Sequence, residues 1–211
     1  MLLSFDDIVR TYGAPKNVLH IGAHWGQEVP GYLNAGAERV HLFEPLAANA
    51  NKLVALFGDD PRIRIYQTAL GDARGLANMF VASNDGQSSS VLRPAKHMRL
   101  YPKITFPEVE TVALSRLDSY GLHGADFINM EVHGYELEVL KGGEETLRSV
   151  KMVYCEVNLV ELYENCVQVE ELDAFLVERG FAMREMTWTT GGWGDALYVR
   201  EGSLAAVLDA P

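Results

Sequence analysis

Four short polar stretches, each directly after an apolar run, carry the side chains that could do chemistry in this sequence. They are His20–Gly26, Glu44–Pro45, Thr68–Asp72 and Glu131–Gly134. If the apolar runs are parallel strands, their carboxyl ends meet at one edge of a sheet, which is where open α/β sheets bind ligands. We therefore ask whether the four stretches form one site.

The stretch HIGAHWG, residues 20–26, is typical of a turn that holds a cofactor. Small residues let the backbone approach a ligand closely, and a helix that begins after the turn offers free N–H groups. The candidate cofactor-binding residues here are His20, Gly22, Ala23, His24 and Gly26. The Gly-x-x-x-Gly spacing is not the full dinucleotide pattern, so a tight strand-to-helix turn remains the alternative.

Glu44 follows Gly22 by 22 positions (44 − 22) and ends the second apolar run. A carboxylate about 20 residues after a glycine turn is placed to accept both ribose hydroxyls of an adenosine. Glu44, followed by Pro45, is therefore a candidate ribose-binding residue. Its alternative role is an acid at the start of the next helix, where negative charge is favourable.

The third stretch offers a border for an adenine ring. The candidate residues are Thr68, Ala69, Leu70 and Asp72, with the Asp72 carboxylate placed to bond the adenine amino group. Gly71 and Asp72 also suit a simple turn.

The fourth stretch contains two titratable side chains that point the same way in a strand, Glu131 and His133. Glu156 and Asn158 share a face of the next strand. Glu131, His133 and Glu156 are candidates for a base with its orienting acids. The same three could instead hold a divalent metal, and Glu156 has the further alternative of a structural hydrogen-bond partner.

Alternating strand-like and helix-like runs must position these residues. Predicted strands are 16–21, 39–45, 62–70, 125–132 and 151–159, and predicted helices are 26–36, 46–58, 134–150 and 167–180. The helix over 134–150 is interrupted near Gly142 and Gly143. A lead-in helix lies within 1–15, and 181–188 with 195–201 form a closing hairpin. The pattern predicts a mostly parallel α/β sheet covered by helices.

The alternation is interrupted over 76–117, where two extended runs, 76–83 and 108–117, flank a polar and basic excursion, 84–107. This predicts an inserted strand pair with a long loop. A loop of this length inside a compact domain is often functional, so 84–107 is a candidate lid.

Composition limits the classes of function. The 211 residues suit one domain, 1–211, and the net charge of −11, without a dense Lys/Arg tract, argues against a nucleic-acid partner. The longest apolar runs are too short for a membrane span. The acidic start MLLSFDDIVRTYG is unlike a signal peptide, and two cysteines form no disulfide framework. We therefore expect a cytoplasmic protein.

The chain resembles the FkbM-type methyltransferases, which use S-adenosylmethionine. The matching segments are VLHIGAHWGQEVPGYLNAGAERVHLFEP, IRIYQTALGD, GQSSSVL, TVALSRLDSY, DFINMEVHGYELEVLKGGEETL and VYCEVNLVELY, in the family's order over about residues 16–200. The resemblance implies a class I methyltransferase (Rossmann-like) fold, with seven strands of which the last is antiparallel. It also implies methylation of hydroxyls on sugars, glycans or natural-product small molecules.

The resemblance implies residue roles as well. Gly22 and Ala23 would line the methionine part of the cofactor, Glu44 would hold the ribose, Thr68–Leu70 would border adenine, and Glu131–Gly134 would face the methyl group. Members of the family usually have Asp at the positions of His20 and Glu131. A neutral imidazole lacks a carboxylate's charge, so binding of the cofactor's amino group would be rearranged.

Transfer to a hydroxyl needs a group that removes its proton. His133 is the first candidate base, oriented by Glu131 or Glu156, with packing at a helix N-terminus as its alternative role. His97 is the second candidate, in the basic loop with Arg93, Lys96, Arg99 and Lys103 that would cover an anionic or sugar-like substrate. A solvated loop is the alternative for these charges.

Two other functions fit parts of the pattern. A nicotinamide-dependent oxidoreductase would also use the glycine turn and Glu44, and a non-catalytic cofactor-binding relative would explain His20 and Glu131. Helix 167–179 and the closing hairpin are the candidate faces for a homodimer.

Overall fold

The computed structural model describes residues 1–203 of the chain. The helices are α1 (Phe5–Tyr12), α2 (Val29–Asn34), α3 (Ala47–Phe57), α4 (His97–Leu100), α5 (Glu136–Lys141), α6 (Glu144–Leu147) and α7 (Val169–Glu178), with a 3₁₀ helix at Leu117–Tyr120. The strands are β1 (Asn17–Ile21), β2 (Arg39–Phe43), β3 (Ile63–Tyr66), β4 (Ala69–Leu70), β5 (Gly75–Val81), β6 (Glu108–Ser115), β7 (Phe127–Met130), β8 (Met152–Asn158), β9 (Phe181–Trp188) and β10 (Trp193–Arg200).

The main sheet has seven strands in the order β3-β2-β1-β7-β8-β10-β9. All neighbours are parallel except β10, which runs antiparallel to both β8 and β9. The predicted seven-stranded, mostly parallel sheet with an antiparallel last strand is confirmed. Strand order reverses at β1, which lies between β2 and β7, and ligands of such sheets bind in the crevice beside this point.

Burial on both faces explains why the central strands are almost continuously apolar. Every residue of β7 and β8 is buried. In β1, Leu19 and Ile21 pack into the apolar cluster that includes α5 and α7, whereas Val18 packs into the cluster that includes α1 and α2. The alternation places helices on both sides of the central strands, whereas the edge strand β9 exposes part of its side chains to solvent.

The region 76–117 differs from the prediction in one respect. The predicted pair, β5 and β6, is antiparallel, but β4 adds to β6 and makes a second sheet of three strands in the order β4-β6-β5. The run predicted as one strand, 62–70, is therefore divided. β3 ends at Tyr66, the Thr68 N–H bonds back to the Tyr66 carbonyl, and the chain passes to the other sheet.

The predicted interruption between α5 and α6 has a packing cause. A Cβ at Gly142 would lie 1.9 Å from the Gly71 carbonyl oxygen, and one at Gly143 would lie 2.8 Å from a methyl carbon of Leu117. Only glycine fits at these contacts, and the helix divides there. Among the helices of residues 1–203, none combines the length and the apolar character that a bilayer crossing requires.

Candidate active site

Two adjoining cavities open at the carboxyl ends of β1, β2, β7 and β8. We call the one beside Glu44 the first cavity, of about 560 Å³, and the one beside Glu156 the second cavity, of about 1030 Å³. They share the lining residues Gly22, His24, Gln87, Glu131 and His133. The register explains the convergence, because Ile21 lies opposite both Phe43 of β2 and Met130 of β7.

Glu44 is an acceptor at the floor of the first cavity. Its Oε2 accepts the His24 N–H at 2.9 Å, and its Oε1 accepts the Leu46 N–H at 2.9 Å. The side chain is 4% exposed, and burial raises its pKa to about 7 despite these hydrogen bonds. Two backbone donors do not exhaust a carboxylate's acceptor sites, so Glu44 retains capacity for hydroxyl groups of a ligand.

The remaining walls of the first cavity are mostly apolar. They include Phe43, Pro45, Leu46, Thr68, Ala69, Leu70, Met79, Val91, Val132 and Tyr135. Of the predicted adenine border, Thr68, Ala69 and Leu70 line the cavity. A flat apolar slot with one carboxylate at its end suits a nucleoside.

Asp72 departs from its predicted place, because it is exposed and lines neither cavity. The chain turns outward at Gly71, where a Cβ would lie 2.9 Å from the Tyr135 ring. Tyr135 lines the first cavity at this end instead.

The glycine turn brings the ends of β1 and β7 into contact. Gly22 has φ +80°, and a Cβ there would lie 2.1 Å from the Glu131 carbonyl oxygen. Gly26, with φ +73°, packs against Phe57 of α3 and lines neither cavity, in contrast to its predicted role. Ala23 lines the second cavity but not the first.

His20 is a neutral side chain at the end of β1. It is 2% exposed, and its ring nitrogens lie 3.4 Å from the Tyr32 hydroxyl and 3.4 Å from Asn129 Nδ2. Burial lowers the pKa of its imidazole to about 4, although the nearby Glu28 opposes this shift. His20 therefore carries no charge at neutral pH.

His133 is charged, and both of its ring nitrogens have hydrogen-bond partners. Its Nδ1 lies 3.2 Å from Glu156 Oε2, and its Nε2 lies 2.5 Å from the carbonyl oxygen of Gln87. Burial alone would lower its pKa, but the charge of Glu156, their hydrogen bond and the charge of Glu131 raise it to about 10. Because neither ring nitrogen is free to accept a proton, this geometry argues against His133 as the general base.

His97, which lines the second cavity, differs from His133 in its charge and in its lack of side-chain hydrogen bonds. It is 5% exposed, lies among the rings of Tyr101, Phe106 and Tyr163, and its Nδ1 has no hydrogen-bond partner within residues 1–203. Burial lowers the pKa of this imidazole. The Nδ1 atom is itself buried, so Nε2, which makes no hydrogen bond within the described residues, is the nitrogen that could meet a ligand in the cavity.

The segment Asn84–Ser90, which we call the serine loop, covers both cavities. His24 Nε2 donates to the Asp85 carbonyl at 2.9 Å, and His133 donates to that of Gln87. The Tyr163 hydroxyl donates to the Ser88 carbonyl at 2.7 Å. Side chains from three strand-end turns thus hold this loop closed.

Part of the predicted basic lid lines the second cavity, but its basic side chains do not. Of the excursion 84–107, the serine loop contributes Asn84, Gln87 and Ser88 to the second cavity. The α4 region contributes His97, Tyr101 and Ile104. The basic residues Arg93, Lys96, Arg99 and Lys103 line neither cavity. Arg93 instead lies over the Phe80 ring. In the described residues, no group of three or more His, Cys, Asp or Glu side chains is placed to hold a metal ion.

Several lining residues were not among the candidates chosen from the sequence. They are Gln27, Glu28, Gln87, Tyr135, Tyr163 and Trp193. Gln87, within the serine run, is the one that the loop's unusual length pointed toward. The others come to the cavities through tertiary packing.

Comparison with known proteins adds family information. The family model described as "Methyltransferase FkbM domain" matches residues 20–183. The curated 2-O-methyltransferase NoeI of Sinorhizobium fredii (strain NBRC 101917 / NGR234) is 30% identical over 158 residues, covering 70% of this chain and 65% of that protein. The chain thus spans a little under two thirds of the length of this relative.

Solved structures share the fold. The methyltransferase FkbM from Methylobacillus flagellatus KT superposes with a TM-score of 0.59 at 16% identity, covering 88% of this chain and 44% of that one. The magnesium protoporphyrin IX methyltransferase ChlM from Synechocystis PCC 6803, whose structure has bound S-adenosylmethionine, gives a TM-score of 0.53 at 12% identity, covering 93% and 76%. The predicted class I fold is confirmed.

Proposed function

Because the chain belongs to the family of FkbM methyltransferase domains, we propose that it transfers a methyl group from S-adenosylmethionine to a hydroxyl group of a sugar, a glycan or a related small molecule. The observation that carries the proposal is the pair of cavities meeting at Gly22, Glu131 and His133. One cavity suits a nucleoside, and the other has room for a second molecule. Such an arrangement brings two reactants together, which is a large part of catalysis of a displacement.

The chain's residues fit the cofactor. Glu44 would accept the ribose hydroxyls with its remaining acceptor sites, and Thr68–Leu70 would border the adenine. Gly22 and Glu131 line both cavities, so a ligand that spans the two cavities would pass beside these residues. When bound, the cofactor supplies an activated methyl group on a sulfonium.

His97 is our candidate for the group that takes the acceptor's proton. It lines the second cavity, burial lowers the pKa of its imidazole, and its Nε2, unlike the buried Nδ1, is the nitrogen that would meet an acceptor. His133 and Glu156 are instead assigned to positioning, since their ion pair holds the wall between the cavities. Glu131 lines both cavities beside His133 and would face both reactants.

The second cavity also supports a polyhydroxylated acceptor. Tyr101, Tyr163 and Trp193 present aromatic surfaces, and the Trp193 indole N–H donates to the Tyr101 hydroxyl at 2.7 Å. Aromatic rings beside polar groups suit ligands with both apolar and hydroxyl-bearing faces. The relative NoeI is named a 2-O-methyltransferase, which agrees with a hydroxyl group as the acceptor.

Isothermal calorimetry with S-adenosylhomocysteine tests the cofactor assignment. We expect saturable binding of one molecule per chain and no binding of NAD or NADH. If S-adenosylhomocysteine does not bind to the pure protein, the proposal fails. Binding of NAD in its place would favour an oxidoreductase.

Transfer of labelled methyl groups from S-adenosylmethionine to a panel of saccharides and hydroxylated natural products tests the activity. Cofactor binding without turnover on any of them would support a non-catalytic relative.

Replacing His97 with Asn tests its role. We expect kcat to fall about 100-fold or more, as is typical when a general base is lost, with the affinity for S-adenosylhomocysteine unchanged. The fall in wild-type activity at acid pH, placed below 6.5 by the lowered pKa, should disappear. The exposed His123→Asn variant is the control. Full activity of His97→Asn would remove His97 as the base.

A further inference from the structure

We infer that the carboxylate of Glu28 binds the ammonium group of the cofactor's methionine end. Glu28 supplies the negative charge that the neutral His20, at the end of β1, lacks. This inference rests on the proposed function. It concerns a residue that precedes α2 and that the glycine pattern does not include.

Position is the first argument. Glu28 lines the second cavity together with Gly22 and His20, on the side of the glycine turn away from Glu44. A ligand whose ribose lies at Glu44 and which passes Gly22 therefore extends toward Glu28. The methionine end of S-adenosylmethionine is the part that would extend in this direction.

Second, the Glu28 carboxylate accepts no hydrogen bond within residues 1–203, although it lies at ion-pair distance from the Met1 amino group. Although Glu28 occupies the N-cap of α2, its side chain makes no capping hydrogen bond. The nearest positive or titratable groups within residues 1–203 are the amino group of Met1, 3.9 Å from Oε1, and His20 Nε2, 4.0 Å from Oε2. Both distances are too long for hydrogen bonds, so the carboxylate keeps its acceptor capacity for a ligand.

His20 cannot supply the missing charge. It is buried and neutral, and a neutral imidazole offers one acceptor and no negative charge. An ammonium group taken from water into the cavity needs a compensating charge, because an unpaired buried charge is costly. A carboxylate within reach of the end of β1 must therefore provide it.

Glu131 is the competing carboxylate. It lines both cavities, and burial raises its pKa, which reduces its tendency to be ionised. His133 already lies beside it as a permanent positive charge. Glu28 lines only the second cavity, where its side chain is 24% exposed and stays hydrated before the ligand arrives. The geometry therefore favours Glu28 for the ammonium group.

The test compares two ligands that differ in the methionine end. S-adenosylhomocysteine carries the ammonium and carboxylate groups, whereas 5′-methylthioadenosine has the same nucleoside without them. For Glu28→Gln we expect calorimetry to show about 10- to 100-fold weaker binding of S-adenosylhomocysteine, the usual effect of losing a charged hydrogen bond. Binding of 5′-methylthioadenosine should stay within 2-fold of wild type, on the order of experimental error.

Glu145→Gln, which changes an exposed acid on α6, is the matched control and should bind both ligands as wild type does. Unchanged binding of S-adenosylhomocysteine to Glu28→Gln would overturn the inference. So would equal loss of both ligands, which indicates general damage to the site. A selective loss in Glu131→Gln but not in Glu28→Gln would assign the ammonium to Glu131. If wild type binds neither ligand, the proposed function itself is wrong.

Discussion

At the scale of single residues, the buried histidines show how surroundings set chemistry. His20 and His97 are neutral because burial lowers their pKa values. His133 is charged because the charge of Glu156 and the hydrogen bond to it, with the charge of Glu131, outweigh its burial. Histidine thus occurs in three states: His20 is neutral beside the candidate site, His97 is a candidate base, and His133 is a cation. Sequence position alone does not distinguish these three states.

The raised pKa of His133 predicts a pH dependence of stability. A group whose pKa is higher in the folded state stabilises fully below its unfolded value, near 6.5, and loses this contribution as the pH rises through about 10. We expect His133→Gln to have a lower Tm than wild type at pH 7, because it leaves Glu156 buried without its partner.

The difference in Tm should narrow steadily between pH 7 and pH 10, as measured by thermal scans in matched buffers. The exposed His123→Gln variant should follow the wild-type curve throughout. A constant difference between His133→Gln and wild type over this pH range would contradict the charged state of His133.

At the scale of elements, the serine loop is held from several directions. His24 follows β1 and His133 follows β7, and both have positive φ, 47° and 55°, which lets the side chains turn up toward the loop. Their Nε2 atoms meet the carbonyls of Asp85 and Gln87. The loop lines both cavities, so we expect it to move when ligands enter or leave.

Removing one of these contacts should speed ligand release. Tyr163→Phe deletes only the hydroxyl that donates to the Ser88 carbonyl at 2.7 Å. We expect the dissociation rate of S-adenosylhomocysteine, measured by stopped-flow displacement, to rise about 5-fold, in keeping with one neutral hydrogen bond. The equilibrium affinity should fall by a similar factor, since most affinity changes lie in the dissociation rate.

Tyr198→Phe is the control, because the buried Tyr198 hydroxyl has no partner among the residues described. Its dissociation rate should equal that of wild type. Should Tyr163→Phe also release the ligand at the wild-type rate, the loop is not held closed by this contact.

At the scale of the whole molecule, the order of the strands assembles the site. Parallel pairing of β1 with β2 and β7 brings Gly22, Glu44 and Glu131 to one edge, although up to 109 positions (131 − 22) separate them. The contact of Gly22 with the Glu131 carbonyl joins the two halves of the sheet at this edge. Damage to this contact should therefore affect global stability.

Gly22→Ala tests this joint. The substitution places a Cβ at φ +80° and 2.1 Å from the Glu131 carbonyl oxygen, so backbone strain and a clash add together. Gly124→Ala introduces backbone strain without a clash, because φ is +97° and no atom lies within 4 Å of its Cβ. We expect urea unfolding to show a loss of about 1–2 kcal/mol for Gly124→Ala.

For Gly22→Ala we expect the loss in the free energy of unfolding to be at least twice as large, because overpacking adds a further cost of about 1–3 kcal/mol. Equal losses in the two variants would show that the β1 and β7 ends do not depend on this contact.

The resemblance to the FkbM-type methyltransferases implied the seven-stranded sheet. The sequence pattern by itself determined the alternation of elements, the mostly parallel sheet and the position of Glu44. These follow from local patterns: apolar runs ended by Gly or Pro, a 3.6-residue period in the helices, and the spacing between a glycine turn and a carboxylate. Gly142 and Gly143 likewise indicated a divided helix before the packing that requires it was visible.

Only the tertiary structure decided the states and neighbours of the side chains in the site. Asp72 lies outside the first cavity, Glu28 lines the second, and His133, unlike His97, is held by an ion pair with Glu156. The physical reason is that burial and charge depend on groups distant in the chain. Glu156 sets the charge of His133 from 23 positions away, and Gln87 accepts its second N–H from 46 positions away.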